Sequence, residues 1–237
     1  MTIECVVSAN LFARAVKAAS NEDSRWYLHG VHLEPASNGG VLLVATNGRV
    51  LIALRDPDGF LSEPATVRLN ASMLKACTVK SYPPSLGKRA DMRRVVAVRG
   101  QKAAVGWSGV DGDPAESLSH IDDPQETTLA LQWCHTIIDG VFPDWRRVVG
   151  EPDPSVGVKE IGFPVVRPVL QALTDNNFSA FRLVSGKEQS YGFGAHFIFV
   201  ENVDGFGVVM PMRSGIKVAL PEWVSPARPE EAQVAAE

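Results

Sequence analysis

Two kinds of residue in this chain are chemically suggestive, and they are distributed differently. The groups that build catalytic or metal sites are dispersed. His29, His32, His120, His135 and His196 do not cluster, and His29 and His32 fall on opposite faces of any strand that holds both. Cys5, Cys77 and Cys134 are odd in number and far apart, so they read as reduced, buried thiols. Asp111 and Asp113 have the spacing of a calcium loop but lack its other ligands and its closing glutamate. No serine or cysteine sits in a nucleophile elbow, and no glycine-rich phosphate loop is present. Gly192-Phe193-Gly194 reads as a hairpin tip. No metal, cofactor or catalytic constellation is expected, and the chain reads as a non-enzyme.

The second kind is concentrated. Arg25-Trp26-Tyr27-Leu28-His29-Gly30, Ala45-Thr46-Asn47-Gly48-Arg49, Phe142-Pro143-Asp144-Trp145-Arg146-Arg147-Val148 and Val208-Val209-Met210-Pro211-Met212-Arg213 each mix aromatic or aliphatic residues with arginine, proline or a turn. That mixture suits a surface that grips another chain. Any one aromatic among them could be ordinary core. The four segments together are not explained that way.

Elements that could bring them together repeat along the chain. A strand over 2–7 leads to Ser8 as a helix cap, with Leu11, Phe12, Ala15, Val16 and Ala19 at helical spacing. Strands follow at Trp26–Leu33, Val41–Thr46 and Val50–Leu54, the last two joined by the hairpin signal Asn47-Gly48. The β-α-β-β-β rhythm restarts with a strand Ala65–Leu69, cap Asn70, helix Ala71–Lys80, a hairpin of Arg94–Val98 and Ala103–Trp107, and a strand Thr128–Ile137. A third restart gives a strand Val158–Phe163, a helix Pro164–Leu173 with both prolines near its start, and strands Phe181–Val184, Ala195–Val200 and Gly207–Met212. The fold class is therefore α+β, with about three such units. Residues 1–149 form a two-unit domain, 150–215 a half-size domain after a Pro-rich linker, and 216–237 an extension read as disordered. Residues 108–126 carry Asp111, Asp113, Glu116, Asp122, Asp123 and Glu126 and no lysine or arginine, and read as a mobile acidic loop.

Composition sets the outer limits. The chain has 237 residues, 45% apolar and 21% charged, with a net charge of −4. It can bury a core and is not uniformly basic, which leaves room for a local basic lining. No secretion signal or membrane span is visible, so the chain reads as cytoplasmic. Arg14 and Lys17 on the first helix, Lys75 and Lys80 on the second and Arg167 on the third would make a weak positive face if all three helices share one side. Lys88, Arg89, Arg93 and Arg94 follow the second helix.

With these segments in this order, the chain resembles the bacterial sliding clamp, the beta subunit of DNA polymerase III. The stretches that carry the resemblance are Ser24–Val31, Val44–Arg49, Ile138–Val148 and Val208–Arg213. The resemblance implies domains made of paired β-α-β-β-β units, with helices lining a DNA channel and sheets outside. It implies a tether that encircles duplex DNA without reading sequence and holds polymerases and repair proteins. It also implies a peptide-docking cleft made here of Arg25, Tyr27, Leu28, Thr46, Gly48, Pro143, Arg147, Val148, Val208, Val209, Met210, Pro211 and Met212, with Arg14, Lys17, Lys75, Lys80 and Arg167 facing DNA. Arg49 and Val50 stand where the family has histidine and arginine, so peptide preference is expected to differ.

Against that family the chain is expected to lack the first domain and half of the last, a truncated form. A lone third unit would expose a sheet edge and an apolar helix face. A homodimer through that half domain, or a ring of more copies, would cover them. The alternative function is an interaction module that keeps the cleft, forms no ring, and competes for or recruits clamp-binding partners.

Overall fold

The computed structural model describes residues 2–79, 92–109, 113–125, 127–149, 153, 155, 161, 163–174, 181–187 and 194–211, without the side chains of Val148 and Phe163. In chain order the strands are β1 (Glu4–Ser8), β2 (Val31–Pro35), β3 (Val41–Thr46), β4 (Val50–Asp56), β5 (Phe60–Leu61), β6 (Ala65–Val67), β7 (Met92–Arg99), β8 (Lys102–Gly109), β9 (Thr128–Gln132), β10 (Phe181–Ser185), β11 (His196–Val200) and β12 (Gly205–Val209). The helices are α1 (Ala9–Ala15), α2 (Ala71–Cys77), α3 (Pro114–Asp122), α4 (Trp145–Val149) and α5 (Phe163–Leu173).

Local chemistry starts the helices where the sequence suggests. Ser8 Oγ accepts from Leu11 N at 3.4 Å to cap α1, and Asn70 Oδ1 accepts from Met73 N at 3.0 Å to cap α2. The strands form two antiparallel sheets. One runs β5-β1-β7-β8-β9 and the other β10-β11-β12-β4-β3-β2-β6. The repeat explains this order. β1 opens the first unit but pairs with β7 of the second, and β6 opens the second but pairs with β2 of the first. Each unit lends its first strand to its neighbour, so neither sheet is complete alone.

Helices α1, α2 and α5 form one layer over the inner faces, with α1 touching both others. Phe12, Leu33, Leu43, Ile52, Leu54, Met73 and Ile198 are fully buried between that layer and the sheets. Asp56 joins the two sheets at one end. Its carboxylate accepts from Ser8 N at 2.6 Å and from Arg93 Nη1 at 3.1 Å.

The third unit does not stand alone. Strand β12 pairs with β4, with Val208 opposite Leu51 and Gly207 opposite Ile52, so the first and third units share one sheet. Helix α5 lies over that seam and buries Val169, Ala172 and Leu173. The opposite edge, β10, has Asp153 N donating to Ser185 O at 2.6 Å. The bare edge and bare helix face expected of a lone unit are thus partly covered from within the chain, which removes part of the reason to expect a dimer there.

Several expectations need correction. Residues 26–30 are not strand. Asp23–Leu28 is a 3-10 segment kinked at Arg25, and the strand begins at Val31. The acidic stretch is not simply a loop, because Pro114–Asp122 is helix α3. Asp113 Oδ1 caps it by accepting from Ala115 N at 2.9 Å, and Leu118 and Ile121 pack on Val6, Val95, Ala97 and Ala104 of the five-stranded sheet. The acidic residues conceal an apolar i, i+3 pair facing the sheet. His120 on the same helix is buried, with ring nitrogens 2.9 Å from Thr128 Oγ1 and 3.0 Å from Trp107 O. Gly106 leaves space for it, since a Cβ there would lie 2.8 Å from His120 Nε2.

Burial pushes the thiols of Cys5 and Cys77 up to about 12, but Cys134 is exposed. The strand expected to run to Ile137 stops at Gln132. Pro168 lies inside α5, beyond its first turn. Residues 216–237 and most of the strand expected at Val158–Phe163 fall outside the described residues, and Phe163 itself already belongs to α5.

Candidate peptide-docking cleft

The outer face of the seven-stranded sheet carries Val44, Leu51, Ala53, Phe197 and Val208, apolar residues facing away from the main core. Alternation along the strands puts them there. Helix α4 covers part of that face. It is only five residues long, and it lays Trp145 and Val149, four apart, onto the sheet. Two contacts hold the segment in place. Phe142 stacks on His32 of β2 with ring centroids 4.5 Å apart and planes 3° from parallel. Arg146 reaches Glu34 through both terminal nitrogens, at 2.6 and 3.2 Å, with its guanidinium 4.3 Å from the Trp145 ring centroid. Burial lowers the His32 pKa; Glu34 raises it and Arg146 lowers it further.

Beside α4 the sheet remains open. The opening is a cleft of about 270 Å³, room for an anchoring side chain or two rather than a whole small ligand. It is lined by Leu51 and Val208 of the outer sheet face, by Leu28, Tyr27, Trp145, Val149 and Met210, and by Arg25, Thr46, Gly48, Arg49, Val50 and Pro143. The β3–β4 turn shapes the rim. Thr46 Oγ1 donates to Val50 O at 2.7 Å, and Asn47 Oδ1 accepts from Arg49 N and Val50 N at 2.9 and 3.0 Å. Arg25 Nη1 donates to Asn47 O at 2.8 Å, and Glu22 lies 3.4 Å from its Nε. Gly48 is favoured by its backbone, and a side chain there would displace the end of Arg25. The Gly48 φ is +85°, and a Cβ would sit 2.4 Å from Arg25 Nη1. Met210 N donates to Arg49 O at 2.9 Å, which ties the end of β12 to the same turn.

Eight of the thirteen residues expected in the cleft line it: Arg25, Tyr27, Leu28, Thr46, Gly48, Pro143, Val208 and Met210. Val209 does not, because it faces the opposite side of β12 and is fully buried in the main core. Arg147 is exposed, and neither it nor Pro211 lines the cavity. Met212 and the Val148 side chain lie outside the described residues. Five further residues line it: Arg49 and Trp145, which belong to the segments singled out in the sequence, Val50, expected with Arg49 to affect peptide preference, and Leu51 and Val149, which were not anticipated. Trp145 and Val149 could have been found as an i, i+4 apolar pair. Leu51 could not, since it enters the site only through its pairing with Val208.

The basic residues expected to face DNA divide. Arg14 Nε and Nη2 donate to Ala172 O and Leu173 O at 2.5 and 2.9 Å, and Lys17 Nζ donates to Gln171 O at 2.8 Å. They cap the carbonyl end of α5, where a cation also complements the helix dipole. Lys75 and Arg167 are exposed on α2 and α5, and Lys80, Lys88 and Arg89 lie outside the described residues. Arg93 binds Asp56, and Arg94 stacks 5.4 Å from the Trp107 ring centroid, its pKa lowered by burial. Among the described residues no group of three or more His, Cys, Asp or Glu could hold a metal ion, and no helix is long and apolar enough to cross a membrane.

No protein-family model and no curated protein sequence matches the chain. Solved structures do. The DnaN sliding clamp (DNA polymerase III subunit beta) of Bartonella birtlesii, bound to griselimycin, is 14% identical, with a TM-score of 0.51 over 89% of this chain and 66% of that one. The DNA polymerase sliding clamp of Pseudomonas aeruginosa, with ligand, is 17% identical, with a TM-score of 0.52 over 90% of this chain and 66% of that one. This chain thus spans just under two thirds of the length of those clamps. At such identity the likeness concerns the fold alone. This chain has the fold of the bacterial DNA polymerase III beta sliding clamp.

Proposed function

We propose that this protein is a clamp-like, non-enzymatic accessory factor of DNA replication or repair. Its cleft docks a short hydrophobic peptide carried by a polymerase or repair protein. One observation supports this above the others: segments near residues 27, 48, 145 and 208 converge on one small apolar cavity with arginine at its rim. Leucine and phenylalanine anchors suit such a cavity, with the arginines available to acidic or carbonyl groups beside them. Titrating a fluorescent peptide bearing adjacent leucine and phenylalanine anchors tests it. Saturable binding at micromolar concentration is expected, and no binding at any concentration would remove the proposal.

The ring is a further part of the proposal. A homo-oligomer would encircle duplex DNA without sequence preference, in the cytoplasm. The second reading is a docking module that forms no ring, and the placement of Arg14 and Lys17 favours it, since their cations cap α5. Retention on nicked circular DNA separates the two. A ring stays on the circle and leaves once it is linearised, whereas a docking module treats both alike.

A further inference from the structure

We propose that His32 is a proton-operated latch on the docking cleft: a proton on its ring loosens the segment of residues 142–149 that walls the cleft, so the site holds its peptide less tightly in acid. The inference rests on the peptide-docking reading above and adds its regulation. His32 lies on β2, and three neighbours meet its ring. Phe142 stacks on one face with ring centroids 4.5 Å apart and planes 3° from parallel. Thr66 Oγ1 of β6 is 3.1 Å from Nδ1, and Glu34 Oε2 is 3.8 Å from Nε2. The Glu34 carboxylate in turn takes both terminal nitrogens of Arg146, at 2.6 and 3.2 Å. One imidazole therefore touches both attachments of the segment, the ring that precedes α4 and the carboxylate that holds it. Pro143, Trp145 and Val149 of the same segment line the cleft.

These surroundings suit a neutral ring. The His32 and Glu34 side chains are 16% and 15% exposed, so water screens charges there poorly. Across the sheet β3 sets Val44 opposite His32 and β6 sets Thr66, neither of them charged. The charged groups that face the ring are Glu34 on its own strand and Arg146 on α4, with Asp144 acting on Arg146. A proton on His32 would make an imidazolium and a guanidinium share one carboxylate. It would also leave a poorly hydrated cation beneath Phe142. Both penalties vanish when the segment moves off, because water reaches the ring and Arg146 leaves it.

The pKa of His32 agrees in direction. Burial lowers it, Glu34 raises it and Arg146 lowers it again. An open segment returns the ring to its ordinary value of about 6.5, so the open form takes up a proton more readily than the closed one. By linkage the proton then favours the open form, and a peptide that needs the closed wall must expel the proton. Affinity is therefore full above about pH 6.5. It falls as pH drops from there towards the lowered value of the closed form, by at most about tenfold per pH unit.

Fluorescence anisotropy of the full chain tests this. The probe is the peptide with adjacent leucine and phenylalanine anchors, blocked at both ends and free of groups that titrate between about pH 5 and 8. From about pH 7.5 to about pH 5.5 wild-type affinity should fall by about fivefold, whereas His32→Phe, which keeps a ring on Phe142, should change by less than about twofold. NMR titration of the His32 ring in the wild type gives the reciprocal reading, since saturating peptide should lower its pKa further. An acid loss as large in His32→Phe as in the wild type, or a ring titration that peptide leaves unmoved, would overturn the latch and leave the docking reading intact. Binding by neither protein at about pH 7.5 would remove the docking reading, and the latch with it.

Discussion

The two sheets share a strand plan but treat their outer faces differently. On the five-stranded sheet α3 spans nine residues and seals Leu118 and Ile121 onto Val6, Val95, Ala97 and Ala104. On the seven-stranded sheet α4 spans five residues, seals Trp145 and Val149, and leaves a cleft beside them. One cover completes a core and the other stops short of it. The apolar residues left at the second face are therefore the ones to associate with binding, and those at the first with stability.

Substitutions should split along that line. The largest effect on stability is expected at the sealed face. Leu118→Ala should cost about 3 kcal/mol by removing a buried side chain, read as a lower midpoint in urea unfolding, with peptide affinity unchanged. A loss of affinity equal to that of a cleft variant would show that the two faces are not separate.

Gly48→Ala comes next and should affect both properties. The positive φ and the Arg25 contact together should cost about 1–2 kcal/mol and shift the rim, so that stability and affinity fall together. Unfolding with and without peptide reads both.

The clip that holds α4 carries a pH signature. Burial lowers the native pKa of His32 below its ordinary value of about 6.5, so on acidification the unfolded chain takes up the proton first. Stability should therefore be lost as pH falls from about 6.5 through the lowered native value, by at most about 1.4 kcal/mol per pH unit. His32→Phe keeps the stack on Phe142 and should flatten that part of the profile. An unchanged slope would assign the acid sensitivity to other groups.

Much of this comparison was legible in the sequence. Ser8 and Asn70 announced their helices, and Asn47-Gly48 its hairpin, because these signals are local. The cleft segments were legible as chemistry because arginine and proline beside aromatics are unusual in a strand. What escaped was set by tertiary context. Helix α3 was hidden under its carboxylates, since two apolar residues among acids look like a loop until a sheet lies beneath them. The 3-10 course of Asp23–Leu28 was hidden by a strand-like composition. Val209 was misplaced because one step along β12 exchanges the cleft for the core. Arg14 and Lys17 read as part of a DNA-facing positive face because their partners, the carbonyls that end α5, lie more than 150 residues away.

The smallest effects are expected on the inner layer, where the two types of cation differ. Lys75→Ala and Arg167→Ala together should change stability by less than about 0.5 kcal/mol, and should reduce the salt dependence of any DNA retention by a slope of roughly two. Arg14→Ala should instead cost about 1–2 kcal/mol through the carbonyls it leaves without a donor. Equal behaviour of the two sets would mean that α5 does not depend on its cap.

The most direct test of the central claim is the ratio of peptide affinities between the wild type and Met210→Glu, measured by fluorescence anisotropy. Met210 lines the cleft while half-buried, so a charge there should reach the occupant without disturbing the core. The account predicts a loss of about 100-fold or more with an unchanged unfolding midpoint. Equal affinity in the two proteins would contradict it, because the peptide would then bind elsewhere.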